Sequence, residues 1–149
     1  DDNYEGAASG TLVILDVRSG LENWRFEQFG SYENTGDAAD SADPDHDGIQ
    51  NLMEFALGLD PELPSTLPAT LVINGGQMEY TYTRSKAALG EVTFTVERSD
   101  SLSLPDWTAA DVTELAPPLA DNGITQTVKV TLPASVGRRF IRLRVTAQP

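Results

Sequence analysis

Twelve residues, Asp43-Pro44-Asp45-His46-Asp47-Gly48-Ile49-Gln50-Asn51-Leu52-Met53-Glu54, constrain this chain more than any others. Carboxylates stand at the first, third and fifth positions, glycine at the sixth and glutamate at the twelfth. That is the D-x-D-x-D-G-x5-E spacing of an EF-hand-type calcium loop. A hard cation of this size takes six to eight oxygens, and alternate residues on a tightly curved segment point inward to supply them. Gly48 permits a turn that other residues resist. The expected ligands are Asp43, Asp45 and Asp47, the Ile49 carbonyl, Asn51, and Glu54 with two oxygens from the first turn of a following helix. Asp37 or Asp40 is expected to add a further ligand or a second, weaker site. The plain alternative is an acidic, solvated turn.

Charge points the same way. The net charge of −13 argues against nucleic acid and anionic membrane surfaces, which need basic patches. Six acids (Glu33, Asp37, Asp40, Asp43, Asp45 and Asp47) fall within fifteen residues that contain no Lys or Arg. Such a cluster repels itself unless a cation sits in it. Four of the ten basic residues crowd instead into Arg138-Arg139-Phe140-Ile141-Arg142-Leu143-Arg144.

The chain has 149 residues, enough for one good domain or one domain with a small appendage, and 40% apolar residues, enough for a real core. The absence of cysteine excludes disulfides and thiolate metal sites. A calcium loop of this kind favours an extracellular home. The acidic start, Asp1-Asp2-Asn3-Tyr4-Glu5, has no leader character, and the apolar run of residues 12–17 is too short to span a bilayer. The expectation is a mature product or a piece of something longer.

Three segments separate. Residues 1–18 hold Gly10-Thr11-Leu12-Val13-Ile14-Leu15-Asp16-Val17, one isolated strand with both faces apolar and no adjacent hairpin partner. It needs a sheet from elsewhere, either this chain's own β-domain or another copy, in which case it links subunits into fibres. Residues 19–62 read as a helix–calcium loop–helix unit. Ser19-Gly20-Leu21-Glu22 is a capping box opening a helix that carries Trp24, Phe26 and Phe29 and stops at Gly30. The second helix runs from about Ile49 to Leu57, ends at Gly58, and is barred from continuing by Asp60-Pro61. Residues 66–149 change to strand period. Leu71 and Ile73, then Met78, Tyr80 and Tyr82 across Asn74-Gly75-Gly76, form a hairpin. Val92, Phe94 and Val96 repeat the alternation, as do Val128, Val130 and Leu132, then Ile141, Leu143 and Val145. The fold class is mainly β: a small antiparallel β-sandwich preceded by the helical unit and the N-terminal strand. Arg142 and Arg144 are expected on the outer face of the last strand, opposite carboxylates.

The run Trp24-Arg25, Phe29-Gly30 and Ala42-Asp43-Pro44-Asp45-His46-Asp47-Gly48-Ile49-Gln50-Asn51-Leu52-Met53-Glu54-Phe55-Ala56-Leu57-Gly58-Leu59-Asp60-Pro61 resembles the thrombospondin type 3 / dockerin-like calcium region. Such regions lie near the C-termini of large secreted proteins of verrucomicrobial and planctomycete-type bacteria. Phe94-Thr95-Val96-Glu97-Arg98-Ser99-Asp100-Ser101-Leu102, Trp107 and Arg139-Phe140-Ile141-Arg142-Leu143-Arg144-Val145 resemble the β-module that ends those proteins. The head, Asp2-Asn3-Tyr4-Glu5-Gly6-Ala7-Ala8-Ser9-Gly10-Thr11-Leu12-Val13-Ile14, is similar to the last strand of an MBG-type immunoglobulin-like repeat. The resemblance implies an extracellular or cell-surface, non-catalytic terminal module, bound to Ca²⁺, and names no ligand. One loop instead of two departs from a dockerin.

Catalysis finds no footing in the residues. His46, the lone histidine, lies between loop carboxylates, and no Ser/His/Asp or Cys/His set can be assembled. A carbohydrate-binding role is the other alternative, with Trp107, Tyr80, Tyr82 and Tyr32 as stacking candidates and a polysaccharide or surface as partner.

Overall fold

The computed structural model describes residues 17–102, 106–134 and 137–148. Of the expected strand at residues 11–17, residues 11–16 lie outside them. Helix α1, Gly20–Phe29, opens as its sequence demands. Ser19 Oγ accepts the Glu22 N–H at 3.1 Å while Glu22 Oε2 accepts the Ser19 N–H at 2.9 Å, satisfying two donors that a helix start leaves without partners. A single 3-10 turn, Gly36–Ala38, follows, and then helix α2, Asn51–Leu57. That helix starts two residues later than expected because Ile49 and Gln50 still belong to the loop.

The β region is antiparallel throughout its paired strands. Strands β1 (Ala69–Asn74) and β2 (Gln77–Ser85) form the expected hairpin around Gly75-Gly76. They are followed by β3 (Val92–Ser99), the two-residue strands β4 (Thr113–Glu114) and β5 (Ala120–Asp121), β6 (Thr125–Pro133) and β7 (Phe140–Ala147). Among the described residues one sheet runs β1-β2-β6-β4, with β5 also on β6, and a second holds β3 and β7. The arrangement is compatible with a small β-sandwich.

Two apolar clusters hold the layers together. Leu57, Tyr82, Val96, Val128 and Val130 meet between the sheets. Leu21, Phe55, Ala56, Ala88 and Val92 join the helices to one end of them. Each Val, Leu or Phe side chain among them, withdrawn from water, contributes roughly 1.5–3 kcal/mol. Helix α2 feeds both clusters, so the helical unit and the sheets share a core. No helix of the described residues is long and apolar enough to cross a membrane.

Register places Arg142 directly opposite Glu97, as expected, with Arg142 Nη2 2.8 Å and Arg144 Nε 3.6 Å from Glu97 Oε2. One difference stands out. Glu97 is buried although its strand parity points it outward, because the two guanidiniums close over it.

Candidate metal centre

The loop between the 3-10 turn and α2 is shaped by its own carboxylates. Asp43 Oδ2 accepts the Gly48 N–H at 3.0 Å, Asp45 Oδ1 the Asp47 N–H at 3.1 Å, and Asp47 Oδ1 the Ile49 N–H at 2.7 Å. Each is a short-range bond that Asp makes readily and that curls the backbone. Gly48 sits at φ +91°, left-handed backbone that a side chain would strain. His46 also adopts φ +62°, and its Nδ1 lies 2.7 Å from the Asp43 carbonyl, on the rim.

This curl brings a ligand oxygen from each of Asp43, Asp45 and Asp47 within 4.8 Å of one another. The oxygens facing inward have nothing to bond. Among the described residues, Asp43 Oδ1, Asp45 Oδ2, Asn51 Oδ1 and both Glu54 oxygens are buried with no hydrogen-bond partner. A buried carboxylate without a partner costs several kcal/mol, and here three carboxylates and an amide share the deficit. The Asp43, Asp45 and Asp47 cluster could hold a metal ion. The donors are all oxygen, the set that suits a hard cation.

Asn51 shows how the pieces are tied. It is fully buried, and its Nδ2 donates to the carbonyls of Asp37 at 2.7 Å and Ala39 at 2.8 Å. Two carbonyl partners fix the amide's orientation, which leaves Oδ1 as the free acceptor. Glu54 is equally buried, on the first turn of α2. Burial first, then the negative charges of Asp45, Asp47, Asp43 and Asp60, push its carboxyl from the ordinary 4.5 to about 7. Asp47 behaves oppositely. The Ser65 N–H, donated to Oδ2 at 2.7 Å, holds its carboxyl low, and Ser65 Oγ adds a contact at 3.2 Å.

The sequence-predicted residues therefore divide. Asp43, Asp45 and Asp47 are brought together, Glu54 is near enough to feel their charges, and Asp43, Asp45, Asn51 and Glu54 each hold a buried oxygen without a hydrogen-bond partner. Ile49 lends its side chain to the interior and its N–H to Asp47. Asp37 is exposed and contributes its carbonyl to Asn51. Asp40 turns away: Oδ1 takes Arg25 Nη2 at 2.6 Å and Oδ2 takes Asn34 Nδ2 at 3.0 Å.

Arg25 and Ser65 have roles that sequence reasoning missed. Arg25, buried one turn after Leu21 on α1, supplies the cation that the acidic stretch lacks locally. The spacing of Leu21 and Arg25 on one helix face was the available signal. Ser65 gave no signal, since only the folded chain brings it to Asp47. The stacking candidates are also occupied: Tyr82 is buried, Tyr80 packs on it with centroids 5.8 Å apart, and Tyr32 stacks on Phe26 at 4.4 Å. The Arg142 guanidinium lies 4.2 Å over the Trp107 ring.

No protein-family model matches the chain, and no curated protein matches it.

Proposed function

We propose that the chain is a non-catalytic, calcium-stabilised structural or interaction module of a secreted or cell-surface protein. One Ca²⁺ is held by Asp43, Asp45, Asp47, the Ile49 carbonyl, Asn51 and Glu54, with Asp37 and Asp40 as outer tethers that seat the loop. The observation that carries this reading is a ligand oxygen from each of Asp43, Asp45 and Asp47 within 4.8 Å of one another, in a segment where Asp43, Asp45, Asn51 and Glu54 hold five buried oxygens without a hydrogen-bond partner. Such a set is costly unless charge of the opposite sign sits inside it. The bound ion supplies that charge and does no chemistry. This chain's residues do the mechanical work: Glu54 ties the ion to α2, Asn51 to the 3-10 turn, and Asp47 to Ser65 on the path into β1. Calcium, abundant outside cells, thus orders an acidic connector at the point where the helices meet the sheets.

Calorimetric titration of the chelator-treated chain tests this. One ion per chain should bind, with a dissociation constant of roughly 10⁻⁵–10⁻³ M. No heat on titration, together with a melting curve indifferent to chelator, would overturn the reading.

A further inference from the structure

Strand β1 is an edge of the larger sheet: β2 pairs with one side of it, and nothing among the described residues pairs with the other. Sheet edges are normally guarded by charge, by proline or by brevity. The other edges here follow that rule. β3 carries Glu97 and Arg98, β7 carries Arg142 and Arg144, and β4 and β5 have two residues each. β1 reads Ala69-Thr70-Leu71-Val72-Ile73-Asn74, with no charge and no proline. It is also uncovered on both faces. Leu71 is 49% and Ile73 70% exposed on the face toward the smaller sheet, whose two strands leave them bare, and Val72 is 55% exposed on the other. The phase of its hydrogen bonding decides what the free side offers. In an antiparallel pair, alternate residues turn both backbone groups toward the partner, and the others turn both away. Thr83 donates its N–H to the Pro68 carbonyl at 3.1 Å, so Pro68, Thr70, Val72 and Asn74 face β2. Ala69, Leu71 and Ile73 therefore point their backbone groups outward. Pro68 lacks a donor on the β2 side only, so its ring does not guard the outer edge. Ala69 donates its N–H to the Leu67 carbonyl at 2.8 Å, which leaves its carbonyl and both groups of Leu71 and Ile73 for a partner.

We propose that this edge pairs with the β1 edge of a second copy of the chain, antiparallel about a two-fold axis at Leu71. The strand is self-complementary in that register. Leu71 meets its own counterpart, Ile73 meets Ala69 and Val72 meets Thr70, so apolar side chains join on both faces. Leu71 exchanges backbone hydrogen bonds with its counterpart, and Ile73 donates to the Ala69 carbonyl in both directions. Charge selects the same partner. A net charge of −13 keeps copies apart in general, yet it is offset at this edge. Among the β2 residues that pair with β1 the one carboxylate is Glu79, which Lys129 Nζ holds at 2.6 Å and Asn74 Nδ2 at 3.3 Å. At the other side of the hairpin turn, Ile73 shares a shallow hollow with Arg138 and Arg139. A second copy brings an uncharged strand against an uncharged strand, and no carboxylate is buried. The two-fold pairing occupies both edges, so assembly stops at two. One strand pair buries less than about 1,200 Å², the size of a transient interface, and a dissociation constant of about 10⁻⁵–10⁻³ M is expected. The inference rests on the sheet and not on the metal.

Sedimentation equilibrium of the full 149-residue chain in calcium, from about 10 µM to 1 mM, tests it. The weight-average mass should climb from 16.1 kDa toward twice that value and no further. Leu71→Lys sets like charges against each other at the axis and should hold the mass at 16.1 kDa. Ile124→Lys, at an exposed site in the turn before β6, should leave association unchanged. Hydrogen exchange gives a second readout that needs no variant. The outward amides of Leu71 and Ile73 should slow as the mass rises, while those of Thr70 and Val72, bonded to β2, stay slow at every concentration. Slow Thr70 and Val72 amides in Leu71→Lys show that the hairpin has stayed folded. A mass fixed at 16.1 kDa up to about 1 mM overturns the proposal. So do association that survives Leu71→Lys and growth beyond the dimer. Slow Leu71 and Ile73 amides in the monomer also overturn it, since another segment of the same chain would then hold the edge.

Discussion

Glu54 is where the physics of the site is most concentrated, since a fully buried carboxylate has both oxygens unpartnered. Glu54→Gln should weaken calcium binding at least about tenfold, or 1.4 kcal/mol, by titration calorimetry. His46→Ala should leave affinity nearly unchanged, because its ring bonds a carbonyl at the rim. Equal effects from the two substitutions would mean that the loop register is wrong. The raised Glu54 carboxyl also sets a pH dependence. In chelator, the folded chain keeps a proton that the unfolded chain releases between about pH 4.5 and 7, so stability falls as pH rises through that window. Denaturant melts at several pH values should show this slope, and Glu54→Gln should remove it. Asp121 contributes with the opposite sign. Hydrogen bonds from Gln126 and Gly123, then Lys86, lower its carboxyl to about 2, so its stabilisation is present above the ordinary 3.8 and fades as acid approaches 2. At this scale the clustering of Asp43, Asp45 and Asp47 was legible in the sequence, because a tightly curled loop brings alternate residues together. Arg25 and Ser65 were not, since the one is 15 residues from Asp40 and the other 18 from Asp47.

Each helix carries its limits in its own residues. Gly30 and Gly58 end α1 and α2 in the left-handed conformation, the latter at φ 73°. At Gly58 an added Cβ would meet only ordinary contacts at 3.6 Å, so Gly58→Ala should cost the strain alone, about 1–2 kcal/mol, in a denaturant melt. Arg25 joins α1 to the acidic stretch, and Arg25→Met should cost about 3 kcal/mol by stranding Asp40 and loosening the approach to the metal loop. A loss below 1 kcal/mol would show that Asn34 alone seats Asp40. Strand positions were as readable as the caps, because Val128, Val130 and Leu132 are buried at every second residue. Strand partners were not. β3 pairs with β7 across forty intervening residues, and the two-residue strands β4 and β5 have no periodicity to detect. Leu71 and Ile73 obey the same alternation as their partners yet remain exposed, because burial is decided by the breadth of the opposing layer.

Over the whole molecule, the proposed metal site would be coupled to the fold through α2, whose Glu54 feels the charges of the loop carboxylates and whose Leu57 lies between the sheets. Calcium at one hundred times its dissociation constant adds about 2.7 kcal/mol, so chelator should lower the melting temperature by about 5–10 °C. A scan unchanged by chelator would separate the loop energetically from the core. Glu91 has a different consequence. Its carboxylate accepts the Gly20 N–H and its carbonyl accepts the Gln148 N–H, each at 2.8 Å, which gathers the start of α1 and the end of β7 at one residue. Tension applied between residues 20 and 148 therefore enters beside the Val92–Ala147 pair and peels β7 from β3 rung by rung, like a zipper, without shearing every rung together. The module would hold its shape against bending while yielding to a modest end-to-end pull, a force-extension profile that optical tweezers can read as a low, stepwise plateau.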